Sequence, residues 1–133
     1  MSYVPTPIDH DLALRLCDTV ALSDAERVTC TLIALAADEI VLGEFSVLGP
    51  IDPQIAGLPA ASIVKVKEQK QSSDIFDLTL VLADISEKAL AQVKRGAVEL
   101  LTPQLDQAKA EALAEKLAGG HWTHDYALTA TEA

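Results

Sequence analysis

The segment His121-Trp122-Thr123-His124-Asp125-Tyr126 gathers imidazoles and aromatic rings in a chain with only three histidines and 4% aromatic residues. A histidine ionises close to neutrality, so His124 suits general-base work wherever a nucleophile stands near it. Equally, it can act as a half-buried anchor for the segment that follows Gly119-Gly120. His121 and His124, with Asp125 adjacent, also have the spacing of a metal clamp. Zinc needs three or four ligands and neither cysteine supplies another, so no metal and no cofactor are expected. A second chemical feature is the run Gly49-Pro50-Ile51-Asp52-Pro53-Gln54. Two prolines bracket an acid and force extended or turn geometry on their neighbours, which makes a shaped loop centred on Asp52. In such a loop one role open to a carboxylate is simply to accept from turn amides.

These residues must be positioned by a chain dominated by Ala and Leu, which favours helices with small-residue packing. Asp9 or Asp11 can cap a first helix with Ala13, Leu16, Cys17 and Val20 on one face, ending near Leu22. Ser23-Asp24-Ala25-Glu26 is a capping box, and Ala25, Val28, Leu32, Leu35 and Ala36 then follow at helical spacing as far as Ala37. Glu39-Ile40-Val41-Leu42 and Phe45-Ser46-Val47-Leu48 read as short strands on either side of Gly43-Glu44. Pro59 suits the first turn of a helix carrying Ala60, Ile63 and Val64, which frays between Glu68 and Ser73. From Asp74, the series Ile75, Leu78, Leu82, Ile85, Ala89, Val93 predicts a long amphipathic helix. Thr102-Pro103 is read as the restart of a helix with Leu105, Ala108, Ala112 and Leu113 inside, stopped by Gly119-Gly120. Thr129 and Glu132 form a further capping box just before Ala133, which suggests truncation relative to a longer ancestor.

The chain has 133 residues, 50% of them apolar, which fits one domain spanning residues 1–133. Its net charge is -10, with ten Lys and Arg scattered among twenty acidic residues. No basic stripe exists to neutralise phosphates or anionic lipid, so nucleic acid and membrane surfaces are not expected partners. Cys17 and Cys30 fall on predicted helices and are expected to be reduced core thiols, which points to the cytoplasm. No secretory leader opens the sequence, and no apolar run reaches the roughly 18 residues of a spanning helix.

The stretch Thr31-Leu32-Ile33-Ala34-Leu35-Ala36-Ala37-Asp38-Glu39-Ile40 and then Leu48-Gly49-Pro50-Ile51-Asp52-Pro53-Gln54 resembles the serine dehydrogenase proteinase family. Pro59-Ala60-Ala61-Ser62-Ile63, Leu82-Ala83-Asp84 with Glu87-Lys88-Ala89, and Trp122-Thr123-His124-Asp125-Tyr126 follow in that family's order at similar spacing. The resemblance covers residues 31–133, the C-terminal part of that domain. Members are distant relatives of the Clp protease proteolytic subunit and of signal peptide peptidase A. The implied fold is therefore α/β and helix-rich: a truncated crotonase/Clp-like spiral with short strands.

The family's triad runs Ser, Asp, His in chain order. The resemblance then makes Asp52 the acid, with Asp84 as an alternative, and His124 the base, the acid holding the imidazole in one tautomer. The family's His-Thr-Pro-Gly-Gly stretch and its serine turn before Thr-Leu-Ile-Ala have no counterpart. The first glycine is Gly43, and an ungapped alignment puts Val28 at the serine position. The Ser-Lys pair of signal peptide peptidases brings Lys65 and Lys70 forward as other bases, although both suit a solvated helix surface. Thr29 and Ser62 are the hydroxyls nearest the motifs, both on predicted helices without a glycine turn to expose them. The expectation is a degenerate, inactive relative of Clp-like serine proteases with a scaffolding or interaction role. It would act as a homo-oligomer or with a protein partner through the helix starting near Asp74. The alternative is an active serine-type hydrolase with a relocated nucleophile, or with a site completed by another subunit.

Overall fold

A computed structural model describes residues 24–43 and 46–132 of the protein. Helix α1 (Asp24–Leu35) begins directly after Ser23, where the capping-box sequence places a start. Strand β1 (Val47–Leu48) precedes the proline loop, and β2 (Gln54–Ile55) and β3 (Leu58–Pro59) form a hairpin behind it. Helix α2 (Ala60–Gln69) follows Pro59 at once, because a proline's fixed φ and missing N–H suit a helix entrance. A 3-10 turn (Ser72–Asp74) leads to the long α3 (Asp77–Leu101), then α4 (Gln107–Ala118) and β4 (Leu128–Thr129). Among the described residues the fold is thus helix-rich, with two small antiparallel sheets, β1–β4 and β2–β3. Val47 pairs with Thr129 and Leu48 with Leu128, so the segment after α1 closes on the C-terminal end of the described chain.

α3 is the central element, packed against α2 on one side and α4 on the other. Its buried line is Ala83, Ser86, Ala97 and Leu101. Of the larger series expected inside, Ile75 to Val93, Leu78 and Ile85 lie on the flank at 68% and 43% exposed, whereas Leu82, Ala89 and Val93 are half-buried and Val93 packs against the core. Small side chains win the interior because they let helix backbones approach closely, and bulkier neighbours are displaced toward the rim. Ala60 of α2 and Ala110 and Ala114 of α4 are wholly or almost wholly buried in the same way. Ser86 tolerates burial because its hydroxyl donates to the Leu82 carbonyl one turn back, at 2.7 Å. Leu35, Ile51, Leu101, Leu117 and Leu128 complete the core, with Trp122 packed against it. Ion pairs bridge the helices at the surface, Lys67–Glu87 at 2.6 Å between α2 and α3, and Lys94–Glu115 between α3 and α4.

Four expectations need correction. Residues 39–43 are not a strand, and the partner of Val47–Leu48 is the distant Leu128–Thr129. The long helix starts at Asp77, three residues after Asp74, because Ser72–Asp74 winds as a separate 3-10 turn. Thr102 does not restart a helix: its N–H and hydroxyl both donate to the Val98 carbonyl, finishing α3. The true cap of α4 is Asp106, whose carboxylate accepts from the Lys109 N–H at 2.9 Å. This shift in phase turns Ala108 and Ala112 outward and Ala110 and Ala114 inward. The helix expected over residues 9–22, with Cys17, lies outside the described residues. Among the described residues no helix is long and apolar enough to cross a membrane.

Candidate functional site

The loop from Gly49 to Pro53 is pinned at three points. Thr31 of α1, itself buried, donates from Oγ1 to the Gly49 carbonyl at 3.0 Å and accepts from the Gly49 N–H at 3.2 Å. The Ile51 N–H donates to the Leu117 carbonyl in the last turn of α4 at 2.9 Å, which also satisfies a carbonyl left over at the helix end. The Ala60 N–H at the start of α2 donates to the Pro53 carbonyl at 2.9 Å. Three helices therefore fix a loop whose centre, Ile51-Asp52, lies in the interior, with Asp52 only 2% exposed.

Inside, the two carboxylate oxygens of Asp52 differ. Oδ2 accepts from Gln54 Nε2 at 3.1 Å. Oδ1 is buried and has no hydrogen-bond partner among the described residues. Leaving such an acceptor unsatisfied costs about 1–3 kcal/mol. Burial lifts the Asp52 carboxyl above its ordinary value of 3.8, against two opposing influences, the charge of His124 and the Gln54 hydrogen bond.

His124 arrives from the other end of the chain. α4 ends at Gly119, and Gly120 takes φ +71° while its Cα lies so near α2 that a Cβ there would stand 2.3 Å from the Ala61 Cβ. Only glycine meets both conditions. The chain then turns through Thr123-His124-Asp125-Tyr126, closed by the Tyr126 N–H donating to the Thr123 carbonyl at 2.9 Å. The Trp122 and Tyr126 rings stack across this turn at 5.6 Å and 11°, and Lys116 Nζ sits 5.6 Å from the Trp122 ring centre. Tyr126 is held in turn by Glu132, to which its hydroxyl donates at 2.6 Å. The other oxygen of Glu132 accepts from the Thr129 N–H and hydroxyl, the reach-back half of a capping box. His124, half-buried, is thus carried on a braced turn. Trp122 also lines an apolar groove of 440 Å³ with Leu35, Leu48, Leu113 and Leu128.

The remaining candidates lie elsewhere. Asp84 is exposed on α3 and paired with Lys88 at 2.5 Å, so it does not share the buried loop. Lys65 and Ser62 are exposed on α2 and line a 530 Å³ groove against Lys94 and Glu115. Lys70 is exposed at the C-terminal end of α2. Thr29 and Val28 fall within α1. His121 is exposed and meets the Trp122 edge at 6.3 Å, and no group of three or more His, Cys, Asp or Glu among the described residues is arranged to hold a metal ion. Sequence reasoning gave no role of their own to Gln54 and Thr31. For Gln54 a signal was there: residues two apart in an extended chain point to the same side, which puts its amide over Asp52.

Comparison with known proteins supplies a lineage for this arrangement. The family model described as ClpP-like SDH-type serine proteinase matches residues 17–133, beginning upstream of the motifs that start at Thr31. An uncharacterized protein of Methanocaldococcus jannaschii is 50% identical over 103 residues, covering 77% of this chain and 36% of its own length. A second uncharacterized protein of the same organism is 47% identical over 102 residues, covering 77% of this chain and 35% of its own length. The chain thus spans about a third of the length of these relatives. No solved structure matches it.

Proposed function

The chain belongs to the ClpP-like SDH-type serine proteinase family, and we propose that it carries the acid and histidine of a serine-proteinase site, Asp52 and His124, without a nucleophile of its own. By itself it is then proteolytically silent and serves as a scaffolding or interaction partner. The observation that supports this reading is the buried Asp52 carboxylate, held in a loop that three helices fix. A triad acid needs such a fixed, sheltered position to hold an imidazole in one tautomer and to stabilise it when charged. The nominated hydroxyls lend no support to a nucleophile of the chain's own: Ser62 is exposed on α2, and Thr29 falls within α1.

The crotonase/Clp-like spiral and a cytoplasmic location belong to the same proposal. The helix-rich chain with short antiparallel strands supports the first, and Cys30 as a free thiol supports the second. For the interaction role, the support is an apolar flank on the α3 entrance, where Phe76, Leu78 and Val81 are 84%, 68% and 55% exposed.

The test is a fluorophosphonate probe with casein and small-ester assays on purified chain, with His124→Ala as control. Neither labelling nor hydrolysis above background is expected, because an activated nucleophile and an oxyanion hole supply most of the acceleration in such enzymes. Covalent labelling of a hydroxyl that disappears in the His124 variant would replace this reading with a relocated nucleophile. The second reading is a site completed by another subunit or segment, which would bring the nucleophile to His124. Labelling that appears only when a serine-bearing family member is mixed with this chain would establish it.

A further inference from the structure

We infer that the apolar groove beside Trp122 is the seat of the chain's own N-terminal segment, residues 9–22, which turns back along α1 and lays its apolar face against that helix and into the groove. The groove is walled by Leu35 at the end of α1, by Leu42, by Leu48 and Leu128 of the β1–β4 pair, by Leu113 of α4 and by Trp122. Nothing in this seat depends on the chemistry of Asp52.

Reach, pattern and charge all single out this occupant. α1 has 12 residues and is therefore about 18 Å long, so the chain that precedes Asp24 must travel back by that length to arrive beside Leu35. Residues 1–23 are ample for the journey, since even a helix covers it in about 12 residues. Within them, Leu12, Ala13, Leu16, Cys17 and Val20 fall at helical spacing, and the start of α1 directly after Ser23 leaves only a short connection. Consecutive helices joined so closely pack antiparallel. That arrangement sets the apolar face against Ile33, an exposed residue of α1, and brings the earlier residues to the groove, where Ile40 is exposed as well. Lys116, resting over the Trp122 ring, is the one cation among the residues that line the groove, and Asp9 and Asp11 stand at the end of the segment that arrives there. Glu132, the one acid of the lining, is already engaged by the Tyr126 hydroxyl and by Thr129. A segment tethered this closely acts at an effective concentration of roughly millimolar, ahead of a free partner in solution.

Trp122 is the only tryptophan of the chain, so its indole N–H is a single reporter of the groove. The test is NMR on the intact chain with a nitroxide at Thr6→Cys, just before the segment, and with Cys17→Ala and Cys30→Ala so that one thiol takes the label. Relative to the reduced label, the signals of the Trp122 indole and the Leu48 amide are expected to lose more than half of their intensity. Adding Leu12→Glu and Leu16→Glu is expected to restore both, by lifting the segment away. Signals that the label leaves unchanged overturn the seat, and so does broadening that survives the two glutamates. A mixture of labelled chain with unlabelled, isotope-enriched chain separates the remaining occupant: broadening that passes between molecules assigns the groove to a second copy and overturns the intramolecular seat. Should the cysteine-free background fail to fold, acrylamide quenching of Trp122 decides the same question with both cysteines kept. Quenching is expected to at least double in Leu12→Glu with Leu16→Glu relative to the wild type, and equal quenching overturns the proposal.

Discussion

Thr31 and Gly49 exchange two hydrogen bonds, the hydroxyl of one donating to the carbonyl of the other at 3.0 Å and accepting from its N–H at 3.2 Å. One side chain thereby serves both polar groups of a peptide at the mouth of the Asp52 loop. Thr31→Val retains the shape and strands both groups, so it is expected to cost about 2 kcal/mol. Thr31→Ser keeps both bonds and loses one methyl, for less than about 1 kcal/mol. Urea unfolding of the two variants measures the difference.

Asp52 sets a pH dependence whose sign follows from burial. Its folded-state carboxyl holds a proton above the ordinary 3.8, so the folded protein binds more protons than the unfolded chain just above that value. Stability from this group therefore falls as pH rises through the window, and the penalty of a buried charge is complete at neutrality. Asp52→Asn is expected to raise the thermal midpoint at pH 7, with the gain fading as pH falls towards 3.8 and gone below it. Melting curves across pH for both proteins provide the check, and a gain that persists in acid would contradict it.

The turn of the β2–β3 hairpin has positive φ at both central residues, 53° at Ala56 and 78° at Gly57. A turn of this hand is the one that asparagine and glycine favour, and alanine sits in it under strain. Ala56→Asn should add about 0.5–1 kcal/mol to stability, and Gly57→Ala should remove about 1 kcal/mol. Open space surrounds Gly57, so the second effect is conformational alone. Chemical denaturation of both variants measures it.

Gly120 makes the contrasting case, because its positive φ is combined with a steric conflict against Ala61. Gly120→Ala is expected to cost about 2–4 kcal/mol, more than Gly57→Ala. Ala61→Gly in the same chain should return the steric part and leave the conformational part. A cycle without such recovery would show that the two residues do not meet.

The exposed flank of α3 should make the chain self-associate. Its mass in solution at tens of micromolar is expected to exceed the 14.1 kDa of a monomer, and Leu78→Glu with Ile85→Glu should restore that value. Sedimentation equilibrium is the measurement.

Much of this architecture is written in local chemistry. Pro59 marks the entrance of α2, Gly119-Gly120 the end of α4, and the paired prolines the rigidity of the loop. Thr102-Pro103 misled because a threonine before a proline looks the same whether its hydroxyl faces forward to cap a helix or back to Val98 to finish one. Strand β4 carried no signal, since two residues have no period and their pairing is decided by a partner far along the chain. At the site, Asp52 and His124 were legible as residue types in matching motifs. The burial of the acid and the inequality of its oxygens were not, because both arise from elements that meet only in the folded chain.

The pairing of Val47–Leu48 with Leu128–Thr129 has a bearing on the order in which the molecule assembles. The contacts of α2 with α3 and of α3 with α4 join consecutive helices and need only short excursions of chain. Closing β1 on β4 requires the whole intervening polypeptide to be gathered first, so its entropic cost is met only once the helices have docked. The segment bearing His124 lies just before β4 and is drawn in by the same closure. In the native state, opening of this clasp would release that segment while the helical body stays intact.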